Sequence, residues 1–87
     1  MMTNPSHVVE LGRLVPFSID GDQFETADLS QRASALLRLA GRDPAAFDLG
    51  EIEGKDRPHT KRYNDDEIVA IRKDARFVSI RQSAPVA

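Results

Sequence analysis

The tightest constraint in this chain is the pair Asp20-Gly21, set between two runs that read as extended. Before it, Val15, Phe17 and Ile19 alternate with Leu14, Pro16 and Ser18, the period of two that marks a strand with one buried face. An Asp-Gly pair directly after such a run supplies the positive φ that a tight hairpin turn needs, and glycine takes it without strain. Residues Gln23 to Thr26 then return as a second strand. Because proline cannot donate to a ladder, Pro16 marks the first strand as an edge strand or as bulged at that point.

After the hairpin the period changes. Asp28 offers a side-chain oxygen as a helix cap, and Leu29, Ala33, Leu36, Leu37 and Ala40 fall on one face of a helix. Gln31, Arg32 and Arg38 populate the wet side. Gly41 ends the helix at the C′ position with Pro44 just beyond. Phe47, Leu49 and Ile52 supply the apolar contacts of a third strand around residues 47–53. The stretch from Gly54 to Asn64 is polar without an apolar period and reads as a long loop. Glu67 to Ile71 form a further strand, with Val69 and Ile71 on one face and Ile68 and Ala70 on the other. A turn, Arg72 to Ala75, leads to a last strand, Arg76 to Gln82, with Val78 and Ile80 inward and Phe77, Ser79 and Arg81 outward. The opposite facing, with Phe77 closing the core and Val78 pointing out, is the alternative for this strand.

The resulting string is β-β-α-β-loop-β-β. A helix that follows an N-terminal hairpin can cover one face of a sheet, and the last strand can lie parallel beside the first. The expected fold is therefore α+β, a β-grasp with a mixed sheet of four to five strands under one main helix. Residues 1–12, with only Val8, Val9 and Leu11 as apolar candidates, read as a mobile leader. The domain is expected over 13–82, and residues 83–87 as a flexible tail.

Composition narrows the function. The 87 residues carry 12 Lys and Arg against 14 Asp and Glu, a net charge of -2, which offers nucleic acid no general electrostatic footprint. With no cysteine there is no disulfide, thiolate zinc site or thiol nucleophile. A domain of this size buries only about 60 to 65% of its unfolded surface, which disfavours a deep enzyme pocket. No apolar run approaches the ~20 residues of a membrane span, and Met1 to Pro5 lack the parts of a signal peptide, so a cytoplasmic location is expected. His7 and His59 stand far apart in sequence, short of the three convergent ligands a metal needs. Ser79 on a sheet face and Ser83 in a tail do not make a hydrolytic triad. The expectation is a protein without catalysis, cofactor or metal, monomeric in isolation.

Two segments are candidates for binding. The outward face of the last strand would place Phe77 with Ser79 and Arg81, and an exposed aromatic beside an arginine is the composition of a protein-binding hot spot. The segment from Lys55 to Arg62 holds Lys55, Arg57, Lys61 and Arg62 against Asp56 alone, between Glu51 and Glu53 on one side and Asp65, Asp66 and Glu67 on the other. It reads as a solvated loop whose charges pair locally, with docking of a protein partner as the alternative.

The strand-turn-strand from Phe17 to Phe24, the helix from Ala35 to Gly41, the Arg57-Pro58-His59 segment and the end from Phe77 to Arg81 together resemble the ubiquitin-like β-grasp families. The resemblance is nearer to bacterial ubiquitin-like proteins of the multiubiquitin-domain type, and it covers roughly residues 13–87. Asp74 to Ile80 also looks like the acidic turn and apolar last strand before the tail of the sulfur carriers of this fold. The resemblance implies a modifier or carrier whose tail, Ser83, Ala84, Pro85, Val86 and Ala87, is activated by an E1-like enzyme for conjugation to a target, with an E2-like protein and a peptidase as further partners. Those carriers end in Gly-Gly, which threads a narrow channel, whereas Val86-Ala87 stand here. Either the partner's channel is wider, or a peptidase trims the tail first, or this copy is not conjugated. A β-grasp interaction module that is never conjugated is the second expectation, and a regulatory nucleic-acid binder, disfavoured by the charge balance, is the third.

Overall fold

A computed structural model describes residues 14–82. The elements run β1 (Val15–Ile19), β2 (Asp22–Thr26), β3 (Ser30–Arg32), α1 (Ala33–Leu39), β4 (Phe47–Glu53), β5 (His59–Tyr63), β6 (Ile68–Ala70) and β7 (Ala75–Arg81). Five strands form one mixed sheet in the order β2-β1-β7-β4-β5, and β3 and β6 make a second, two-stranded sheet. The fold is α+β and β-grasp-like: β1 and β7 lie parallel at its centre, every other pairing is antiparallel, and α1 packs on one face.

The hairpin tip is as expected. Asp20 and Gly21 both take positive φ, 54° and 86°, the geometry of a two-residue turn whose twist matches the flanking strands. Pro16, however, is neither on an edge nor at a bulge, since β1 has a neighbour on each side and its register with β2 is unbroken. The physical reason is its place in the ladders. Counting back from the turn, Pro16–Glu25 is a non-hydrogen-bonded pair, so β2 asks no N–H of it. On the other side the pairing with β7 begins only at Phe17, and the Pro16 carbonyl accepts the Asp74 N–H at 2.7 Å.

The helix is shorter than its apolar face suggests. Ser30 to Arg32 are a strand against Ile68 to Ala70, Leu29 is 44% exposed, and Asp28 caps no helix; its Oδ1 accepts the Ser30 N–H at 3.3 Å. The first N–H groups of α1, which a helix leaves without internal partners, donate instead to loop carbonyls: Ala33 to Glu67 at 3.0 Å and Ser34 to Asp65 at 3.2 Å. The far end follows the sequence. Gly41 sits at φ 77°, its N–H donating to the Arg38 carbonyl and that of Arg42 to Leu37, a Schellman close.

Two further expectations are corrected. Residues 59–63, inside the expected loop, form β5, held to β4 in antiparallel register with Glu51 opposite Lys61 and Leu49 opposite Tyr63. On β7 the facing is inverted: Phe77 is 1% exposed and stands in the core, while Val78 and Ile80 point to the other face. The strand begins at Ala75, after Asp74 in the left-handed region at φ 63°, and its pairing of Ile19 with Phe77 puts both on the helix side. Phe17, Ile19, Ala33, Leu36, Leu37, Leu49, Tyr63, Val69, Ile71 and Phe77 are the buried core, with the Phe17 ring stacked on Phe24 at 5.8 Å and edge-on to Phe77 at 6.0 Å. The leader 1–12 and the tail 83–87 lie outside the described residues.

Candidate functional site

Sheet alternation sorts side chains onto two faces. The helix face takes Phe17, Ile19, Leu49, Tyr63 and Phe77 into the core. The opposite face carries Ile52 on β4 and Val78 and Ile80 on β7, all half-buried, around Gly50, which is itself buried. A methyl group built on Gly50 would stand 2.7 Å from Ile80 Cδ1, 2.8 Å from Thr60 Cγ2 and 3.3 Å from Val78 Cγ2, so these side chains close over the missing one. The result is a low apolar saddle at the middle of the sheet. Its rim is polar: Arg76 lies alongside on β7, and Arg62 Nε meets Asp48 Oδ2 at 3.4 Å. Among the described residues no helix or strand packs over this face.

Of the residues expected to form a partner-binding set, Phe77 is in the core, and only Ser79 and Arg81 share its face at the sheet's end. Ser79 is committed to a structural contact. Its N–H donates to Asp20 Oδ1 at 2.8 Å and its hydroxyl to Asp20 Oδ2 at 2.7 Å, while Arg42 Nε stands 3.5 Å from the same carboxylate. Partial burial pushes the Asp20 carboxyl upward, but the hydrogen bonds from Ser79 and the Arg42 charge outweigh it and hold the group below the usual carboxylate range. Arg81 lies over the Phe47 ring at 5.6 Å, with Arg42 at 5.3 Å from the same centroid. Beyond Arg81, Gln82 is tied down: its N–H donates to the Ala46 carbonyl at 2.9 Å and its side-chain amide to Asp48 Oδ1 at 2.9 Å. Residues 83–87 therefore follow directly on a fixed point, and lie themselves outside the described residues.

On the helix side, beside β5, a shallow cleft of about 170 Å³ is lined by Glu51, Glu53, Lys61, Tyr63, Ile68 and Arg72, among others. Glu51 is 9% exposed and accepts the Tyr63 hydroxyl at 2.8 Å. Burial, reinforced by the bond to Glu51, pushes the Tyr63 phenol well above its ordinary value. Lys61 lies over the Tyr63 ring at 5.0 Å, and His59 Nε2 meets Glu53 Oε1 at 3.2 Å. His7 lies outside the described residues. Among those described, no three His, Asp or Glu side chains are placed to hold a metal ion, and no helix is long and apolar enough to cross a membrane.

The saddle, the Asp20–Ser79 clamp and the Glu51–Tyr63 pair were not readable as sites from the sequence, because each joins residues on different strands. The one local signal was the apolar character of Val78 and Ile80 beside Phe77, which marks a strand with something to bury on both faces. No family model, curated protein or solved structure matches the chain.

Proposed function

We propose that the protein is a non-catalytic docking module of the ubiquitin-like kind, recognised by its partner through the open sheet face at Ile52, Val78 and Ile80. The observation that carries this reading is the apolar saddle over Gly50, rimmed by Arg76 and the Arg62–Asp48 pair, with nothing among the described residues covering it. An apolar centre inside a polar rim is the anatomy of a protein interface. In its fuller form the proposal is a modifier or carrier. An E1-like enzyme would grip this face and activate the segment 83–87, with an E2-like protein and a peptidase acting before or after, in the cytoplasm. The anchoring of Gln82 supports that form, since a segment delivered to another protein's active site needs a fixed point of departure.

The test combines the full chain with ATP and a candidate E1-like enzyme, followed by intact mass for an adenylate or a conjugate. Val78→Asp should abolish docking, and deletion of 83–87 should abolish activation while docking survives. A chain that docks through the saddle but is never activated is the interaction module without conjugation. If Val78→Asp and Ile80→Asp leave binding unchanged, the docking face has been misplaced.

A further inference from the structure

The two edges of the main sheet carry opposite charge. The segment from Leu14 to Gln31, which holds the edge strand β2, contains Asp20, Asp22, Glu25 and Asp28 and no lysine or arginine. The segment from Lys55 to Tyr63, which ends in the other edge strand β5, contains Lys55, Arg57, Lys61 and Arg62 against Asp56 alone. Most of this charge is not spent within the molecule. Asp20 pairs with Arg42, Arg62 with Asp48 and His59 with Glu53, but among the described residues Asp22, Glu25, Asp28, Lys55, Arg57 and Lys61 have no oppositely charged group within 4.0 Å.

Edge strands present unpaired N–H and C=O groups, and charged side chains along an edge protect it from pairing. That protection works between like edges: two copies of β5 repel, as do two copies of β2. It fails between unlike ones. Counting from the hairpin turn, Gln23 and Glu25 aim their backbone groups away from β1, toward the outside of the sheet. The directions also fit. β5 runs antiparallel to β4, β4 antiparallel to β7, β7 parallel to β1 and β1 antiparallel to β2, so β5 and β2 point opposite ways. A second copy placed beside the first in the same orientation would bring its β2 antiparallel to β5, with both helices on the same side of one continuous sheet.

We propose that the occupant of the basic β5 edge is the acidic β2 edge of a second copy of this chain, a head-to-tail contact that extends the sheet and leaves the Ile52–Val78–Ile80 face free. Such a contact is heterologous, so it propagates instead of closing as a two-fold dimer. With five residues on each strand it is small, far under the about 1,200 Å² of a stable interface, and its strength depends on charge. It is independent of the docking proposed above, which uses another surface.

Sedimentation of the full chain over concentrations up to about 1 mM, at about 20 mM and about 500 mM salt, tests it. The weight-average mass should rise with concentration at low salt and return to the monomer at high salt. Two variants then separate charge pairing from damage, each checked for a native thermal transition: Asp22→Lys with Glu25→Lys, and Lys55→Glu with Arg57→Glu, all four at residues without an ion-pair partner among the described residues. Each alone should be monomeric, because its two edges then carry the same sign, and an equimolar mixture should recover the association of the parent. A parent that stays monomeric at low salt overturns the proposal and leaves the basic edge to an acidic segment of another protein. Association that survives in either variant alone, or fails to return on mixing, overturns it as well.

Discussion

Asp20 holds three parts of the molecule at one point, and its replacement allows the magnitudes to be worked. Its carboxylate receives the Ser79 N–H and hydroxyl and lies beside Arg42, while its own backbone sits at φ 54° in the hairpin tip. Hydrogen bonds to a charged group contribute about 1.5–3 kcal/mol; the two from Ser79 share one residue, so about 2–3 together is the working figure. The Arg42 pair is half exposed and adds at most about 1 kcal/mol. Alanine has no short polar group to ease the left-handed region and loses about 1 kcal/mol more. Asp20→Ala should therefore cost about 3–5 kcal/mol, a large fraction of the stability of a domain this size. Asp20→Gly restores the backbone freedom and should be about 1 kcal/mol milder. Asp20→Asn keeps an acceptor and tolerates the turn, and should cost only about 1–2 kcal/mol. Urea denaturation at neutral pH measures the order Ala, Gly, Asn. The pH dependence has a definite sign: because the folded carboxyl lies below its unfolded value of about 3.9, its contribution is present above that pH and lost as the pH falls through the folded value. The gap between parent and Asp20→Asn should close in that window. An alanine variant losing under about 1 kcal/mol, or an asparagine variant as damaged as alanine, would refute the clamp.

Leu37→Ala, at a position with 0% exposure beneath the sheet, should destabilise by about 2–5 kcal/mol, read from the shift in denaturation midpoint. Gly21→Val forces a β-branched side chain to φ 86° and should lower the thermal midpoint while leaving the rest of the amide spectrum native. Tyr63→Phe removes the hydroxyl that donates to buried Glu51 and should cost about 1–3 kcal/mol in denaturant. Because the folded phenol is raised above its unfolded value of about 10, the Tyr63 contribution is complete below that pH and declines above it, a slope the phenylalanine variant should lack.

The parts of the fold legible in the sequence are those decided by neighbours in the chain. Asp20-Gly21 sets the hairpin by its own backbone preference, and Gly41 closes the helix for the same reason. The start of the helix was not legible. Leu29 continues the apolar period, yet Ser30 to Arg32 pair with Ile68 to Ala70, and a tertiary ladder overrides local propensity. β5 escaped because an edge strand has little to bury, and Tyr63 is its single buried side chain. On β7 the alternation was ambiguous from the outset: Phe77, Val78 and Ile80 put apolar groups on both faces, as a central strand does, and only the pairing with β1 decides which face meets the helix. The candidate site was lost with that decision, since the saddle of Ile52, Val78 and Ile80 is the face on the other side.

The most direct measurement is amide and methyl chemical-shift mapping on the isotopically labelled full chain, titrated with the candidate E1-like enzyme used in the docking test. The expected result is a contiguous set of perturbed or broadened signals at Ile52, Val78, Ile80 and the adjoining Arg76 and Thr60, with Leu36, Leu37 and the helix face unchanged. Perturbations confined to α1 or to the cleft at Glu51 and Tyr63, with the saddle silent, would contradict it.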